Sequence, residues 1–187
     1  MKTFVTDLLT KKLLPCYLYH NLEHTLYVLE QVKTIGEWES CNPKEIALLE
    51  AAALWHDTGF INTSTNHEKE SCQLAIENLP AFGFSKEDIT TICGMIMATK
   101  MPQSPHNKLE EIIADADLAY LGAPGVEEKA TALCKELQCF NAGFTNQQWQ
   151  KTQLSFLKAH QYFTSYGKEK LEPRKKDYLN SLLSGKA

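Results

Sequence analysis

Residues 17–29 read Tyr17-Leu18-Tyr19-His20-Asn21-Leu22-Glu23-His24-Thr25-Leu26-Tyr27-Val28-Leu29. Apolar residues recur through this stretch at helical spacing, so it predicts a helix, and His20 and His24, four apart, share one of its faces. Such a pair serves as a metal or catalytic site, or as two polar side chains at the margin of a core. Two later stretches narrow the choice. His56-Asp57 closes the apolar run Ala51-Ala52-Ala53-Leu54-Trp55, and Asp115 and Asp117 stand two apart in Ile112-Ile113-Ala114-Asp115-Ala116-Asp117-Leu118. Three separate segments therefore offer nitrogen and oxygen donors of the kind metals take.

Outward from these segments the pattern stays helical. Phe4, Val5, Leu8, Leu9 and Leu13 mark a short amphipathic helix over 3–14, ended by Pro15. The first long helix covers 21–37. Asn42-Pro43-Lys44-Glu45 combines an asparagine cap, proline at the first helical position and glutamate at the third, and opens a helix over 43–57. That helix is apolar over most of its circumference and should run through the core. It delivers His56 and Asp57 to a fixed place at its C-terminal end, where the helix dipole disfavours a carboxylate unless a cation offsets it. Residues 60–66 read as a loop, and Asn66 as the cap of a helix from His67 to Leu79, stopped by Pro80. Ser85-Lys86-Glu87-Asp88 opens a helix over 86–99, two prolines break residues 100–107, and a helix over 108–121 leaves Asp115 and Asp117 on different faces. Further helices are expected over 125–138, over 146–166 after Thr145, and over 173–183. No segment alternates with period two, so the expected class is all-α, a bundle of seven to nine helices.

With 187 residues the chain fits one domain, residues 1–187, with core motifs over 17–123 and C-terminal helices over 125–183. A net charge of -4 and a single arginine, Arg174, give no basic surface that would make nucleic acid the main partner. No apolar run reaches the ~18 residues of a membrane span, and the N-terminus lacks a cleavage-site pattern, so a soluble, cytoplasmic protein is expected. Cys16, Cys41, Cys72, Cys93, Cys134 and Cys139 are scattered without a Cys-x-x-Cys pair, and the default reading is reduced thiols packed as small core residues.

The order His24, then His56-Asp57, then Asp117 resembles the HD-domain metal-dependent phosphohydrolases, an all-α superfamily. Three local matches bring it nearer to small bacterial members: Tyr19-His20-Asn21 with His24, Asn66-His67-Glu68 with Ser71, and Asp115-Ala116-Asp117-Leu118 with Leu121-Gly122. The first of these is also similar to a stretch of the cyclic-nucleotide phosphodiesterases. The resemblance covers about residues 17–123. It implies that His24, His56, Asp57 and Asp117 coordinate a divalent metal and that His20 gives a proton to the leaving oxygen. Asp115 falls beside the matching position, behind the ligands or as an alternative to one of them.

The residue types fit that chemistry on their own account. Two imidazoles and two carboxylates without a thiolate suit Mn, Fe, Co, Ni or Mg more than structural zinc, and leave room for water. A metal so held acidifies bound water and polarises a phosphoryl oxygen, with Asp57 of a type to touch both metal and water. A histidine titrating near neutrality can protonate the leaving alkoxide, and His20 lies one turn from His24. An anionic substrate calls for a cation, for which Lys100 is the candidate; its plain alternative is a solvated lysine at a helix end. His67 and Glu68 serve either a second ion bridged through Asp57 or contact with substrate and solvent. His106 and His160 read as surface or satisfied core histidines.

The expected activity is metal-dependent hydrolysis of a small phosphorylated compound, a nucleotide or another phosphate ester, with a homodimer as an open possibility. Two other readings stand beside it. One is a scaffold that binds a nucleotide or signal ligand without turning it over; the other is a di-iron oxygenase.

Overall fold

The computed structural model describes residues 1–185; the last two residues of the expected domain lie outside that range. Nine α-helices, and no strand among the described residues, make the fold all-α. They are α1 (Lys2–Lys12), α2 (Leu22–Trp38), α3 (Pro43–Trp55), α4 (His67–Asn78), α5 (Lys86–Ala98), α6 (Lys108–Asp117), α7 (Val126–Phe140), α8 (Asn146–Ala159) and α9 (Glu172–Leu183).

The central helix is α3. Its capping box forms as the sequence predicts: Glu45 N–H donates to the Asn42 side chain at 3.0 Å, and Asn42 N–H donates to the Glu45 carboxylate at 2.8 Å. From Leu48 to Trp55 all but Glu50 are buried, because α2, α4, α5 and α6 close around α3. Val28, Val32 and Ile35 of α2, Ile92 and Ile96 of α5, and Ile112 and Ile113 of α6 complete this core. A side chain such as Leu49, fully buried, contributes about 1.5–3 kcal/mol by burial. A smaller second core joins Leu118, Leu121, Val126, Leu157 and Tyr178, fastening α7, α8 and α9 to the turn that follows α6.

Several local expectations are corrected. Residues 17–21 are not helical, so His20 stands in the bend before α2 and shares no helix face with His24. The helix expected over 146–166 stops at Ala159, and residues 160–163 form no regular element, because Asp115 captures the backbone N–H groups of Phe163 and Thr164 at 2.9 Å. The helix expected over 108–121 ends at Asp117, followed by a tight turn over Ala119–Gly122. Asn66 does not cap α4: its backbone is left-handed at φ 54°, and its side chain accepts a hydrogen bond from Lys100 instead. Cys16 and Cys139 are joined in a disulfide with Cα atoms 5.9 Å apart, against the expectation of six reduced thiols. The bond ties the segment before His20 to the end of α7, two regions that sequence order keeps 123 residues apart.

Candidate metal centre

The four motif residues expected as ligands converge on the inner end of α3. His24 lies in the first turn of α2, held there by the Asn21 side chain, which accepts the His24 backbone N–H at 3.1 Å. His56 caps α3 and Asp57 follows it, while Asp117 is the last residue of α6. His24 Nε2 stands 3.0 Å from Asp117 Oδ1, 3.4 Å from Asp57 Oδ2 and 3.3 Å from His56 Nε2. His56 Nε2 in turn lies 3.2 Å from Asp57 Oδ2 and 3.6 Å from Asp117 Oδ1.

The backbone around Asp57 is shaped for this placement. Gly59 N–H donates to Ser71 Oγ at 2.8 Å, and a Cβ at Gly59 would stand only 2.1 Å from the His67 carbonyl oxygen. Only glycine permits α4 to come so close. The Asn66-His67-Glu68…Ser71 motif thus has a mechanical role as well: its serine pins the turn after Asp57.

A divalent ion fits these residues. Donor atoms of His24, His56 and Asp117 all lie within 4.8 Å of one another, about the span of ligands placed ~2.0–2.3 Å from one ion. His56 Nδ1–H donates to the Ala53 carbonyl at 2.8 Å, which fixes the tautomer whose Nε2 lone pair points into the cluster. Asp57 Oδ2 is buried and has no hydrogen-bond partner in this structure. An orphaned carboxylate oxygen in a dry site is costly unless a cation meets it.

The electrostatics say the same. Burial pushes the Asp57 carboxyl up, but the nearby His56 imidazole, with His20 and His24, outweighs burial and holds it far below the usual carboxylate range. Burial likewise raises Asp117, and hydrogen bonds to His24 and His56 overcome it to leave that carboxyl well below its ordinary value. Burial lowers His56, yet Asp57 and Asp117 pull it well above an ordinary imidazole. The pocket demands positive charge.

The other expected residues divide into those that face this cluster and one that does not. His67 Nε2 is 3.5 Å from Asp57 Oδ1 and 3.8 Å from Glu68 Oε1, and its ring stacks on Phe60 with centroids 3.8 Å apart. Lys100 reaches the same cavity and donates to Asn66 Oδ1 at 2.8 Å. Asp115 turns away: its carboxylate accepts from Phe163 N–H, Thr164 N–H and the Thr164 hydroxyl, the last at 2.6 Å. Its role is to anchor residues 163–164, and burial lifts its pKa to about 6 against those hydrogen bonds. His106 sits exposed on the loop before α6, and His160 is tied to Lys175 on the far side of the small core.

One participant was not anticipated. Glu136 of α7 is buried and accepts His20 Nδ1–H at 2.5 Å through one oxygen, and the backbone N–H groups of Tyr19 and His20 at 2.8 and 3.0 Å through the other. Burial works against a charged His20, but the hydrogen bond to Glu136 and the surrounding carboxylates outweigh it and raise the imidazole pKa. The available signal was a carboxylate at the margin of an apolar stripe, Ala130, Leu133 and Leu137, on an amphipathic helix.

Comparison with solved structures places this architecture. The chain aligns with the crystal structure of a predicted HD superfamily hydrolase from an uncultured Thermotogales bacterium, determined at 1.45 Å, with a TM-score of 0.68. The alignment covers 99% of this chain and 92% of the other, at 16% identity. The chain has the HD-superfamily fold. No protein-family model and no curated protein sequence matches it. The HD fold accounts for the ordered His, His-Asp and Asp motifs, since it is the packing of α2, α3 and α6 that brings them together.

Proposed function

We propose that the protein hydrolyses a phosphate ester at a divalent metal held by His24, His56, Asp57 and Asp117. The observation that carries the reading is the convergence of two imidazole Nε2 atoms and two carboxylates around the unpartnered Asp57 Oδ2. A divalent ion held there would supply an acidified water and a Lewis acid for a phosphoryl oxygen. Hydrolysis forms one P–O bond from water and breaks the ester P–O bond, whose electron pair leaves with the alkoxide. His20 is placed to give that alkoxide its proton. Glu136 binds Nδ1–H of His20, so Nε2 is the nitrogen left to meet the leaving group, and the raised pKa keeps the ring charged for the task. Lys100 has two further N–H donors for a non-bridging phosphoryl oxygen beyond the one given to Asn66.

A specific geometry also supports a second ion. Asp57 presents Oδ2 to His24 and His56 and Oδ1 to His67, with Glu68 next to His67, the arrangement of a bridging carboxylate between two sites. Both versions are tested by elemental analysis of the purified protein and of Asp57→Ala, followed by release of inorganic phosphate from a generic ester with added Mn²⁺. The proposal expects one or two transition metals per chain, lost in the variant together with hydrolysis. Full activity in Asp57→Ala would sink it.

A further inference from the structure

The cavity in front of the metal cluster has two unlike halves. It measures ≈ 430 Å³, within the range of small-molecule sites. At one end stand His20, Asp57, His67, Lys100 and Asp117; the remainder is walled by Leu121, by Leu133 and Leu137 of α7, and by Trp149 and Phe156 of α8. Leu133 and Leu137 are one helical turn apart, and Trp149 and Phe156 two turns apart, so each helix turns a continuous apolar face inward. These four side chains are only half-buried, whereas Ala130, Gln153 and Leu157 beside them are covered. The apolar faces of α7 and α8 end at the cavity and are not closed by protein.

The polar groups beside that half are few: the hydroxyls of Tyr19, which has no hydrogen-bond partner, and Tyr120, and from α8 Thr152 and Gln153, whose amide already donates to the Tyr178 hydroxyl at 2.9 Å. A nucleobase and ribose placed here would surrender hydrogen bonds to water for leucine and phenylalanine surface, at a cost for each unpaired group. A hydrocarbon chain gives up nothing and gains by burial. We infer that the substrate is the phosphate ester of an apolar alcohol, its phosphoryl group at the metal cluster and Lys100 and its hydrocarbon chain between α7 and α8. The inference rests on the phosphate-ester reading above and specifies its substrate class. Hydrolysis would release the free alcohol and inorganic phosphate from a monoester, with water as the only co-reactant.

The test is a chain-length series: ethyl, butyl, hexyl and octyl phosphate with the Mn²⁺-loaded protein, reading phosphate release, and in parallel the binding of octylphosphonate, which lacks the scissile P–O–C link, through Trp149 fluorescence. Each methylene buried should raise kcat/KM by up to about fourfold, the equivalent of ~0.8 kcal/mol. Leu133→Arg, which sets a charge in the apolar half, should flatten the series, and Phe156→Ala, which keeps the Trp149 signal, serves the same purpose should the first variant fail to fold. Hydrolysis that is flat or falls with chain length would overturn the apolar-ester inference while leaving the phosphohydrolase reading intact. No hydrolysis of any ester, with octylphosphonate still bound and displaced in Leu133→Arg, would uphold the apolar chamber and overturn the hydrolase. Neither hydrolysis nor binding would overturn both.

Discussion

Two buried clusters of ionisable groups lie in this molecule, and they solve the problem of buried charge in opposite ways. At the end of α3, two histidines and two aspartates meet without a lysine or arginine among them, and one carboxylate oxygen is left without a hydrogen bond. On α9, Lys175 is 2% exposed: its ammonium donates to the His160 carbonyl at 2.5 Å and to His160 Nδ1 at 3.2 Å, and pairs with the Glu172 carboxylate at 2.8 Å, over the Tyr162 ring. This cluster therefore carries its own cation and a carboxylate to neutralise it, although Glu172 Oε2 and His160 Nε2 are buried without a hydrogen-bond partner, as Asp57 Oδ2 is. The first cluster has no fixed cation of its own; the second has Lys175. The missing cation, and not an unpartnered oxygen alone, is what sets the first apart as a candidate metal site.

The largest expected effect breaks the two apart. Saturating Mn²⁺ at a thousand times its dissociation constant should stabilise the protein by about 4 kcal/mol, read as a rise in the urea midpoint that a chelator reverses. In His56→Ala that rise should vanish, and in Lys175→Met it should persist in full. A metal-induced rise retained in His56→Ala would place the ion elsewhere.

Lys175→Met comes next, and strikes the other cluster. Removing the buried ammonium leaves the His160 carbonyl unpaired and Glu172 with only the exposed Lys176 at 3.7 Å, for a loss of about 3 kcal/mol in chemical denaturation. Metal content should not change. Equal losses of metal and stability would mean that the clusters are one unit.

A smaller effect sharpens the role of α7. Glu136→Gln keeps the volume beside His20 but removes the charge that raises its pKa, and should lower kcat by about tenfold to a hundredfold, a part of the ~10²–10⁴-fold that general acid catalysis contributes, with KM and metal content nearly unchanged. A fall in kcat matched by lost metal would make Glu136 a part of the scaffold only.

How far the sequence reveals this follows from the same contrast. The caps at Asn42, Ser85 and Thr145 are local, and all three capping boxes form as read. The meeting of His24 with His56-Asp57 and Asp117 was expected from the order of the motifs and the resemblance they carry, and it is the packing of α2, α3 and α6 that brings the four side chains together. Asp115 illustrates the limit. The face it occupies was readable, but its partners, the N–H groups of Phe163 and Thr164, lie 48 and 49 residues away in a segment whose periodicity resembles a helix. The same long-range capture ended α8 early. Glu136 and the Cys16–Cys139 bond escaped for the related reason that nothing near them in sequence announces their partners, 116 and 123 residues distant.

The smallest expected effect belongs to the Lys175 cluster and gives it a pH signature. Burial, and then the charge of Lys175, depress His160 to about 4, so the folded protein holds this ring neutral down to that pH. The unfolded chain protonates it near 6.5. Between these values the unfolded state binds a proton that the native state refuses, and stability falls as pH drops from about 6.5 to about 4, then levels with respect to this group. A depression of this size corresponds to about 3 kcal/mol at full burial, reduced to about 1–2 kcal/mol because the ring is partly exposed. Urea midpoints of the protein and of His160→Gln, compared across that range, isolate the contribution: the gap between them should close from the acidic side as the variant escapes the penalty. If Lys175→Met leaves the slope unchanged, the ammonium is not what keeps His160 neutral, and the cluster is held by burial alone.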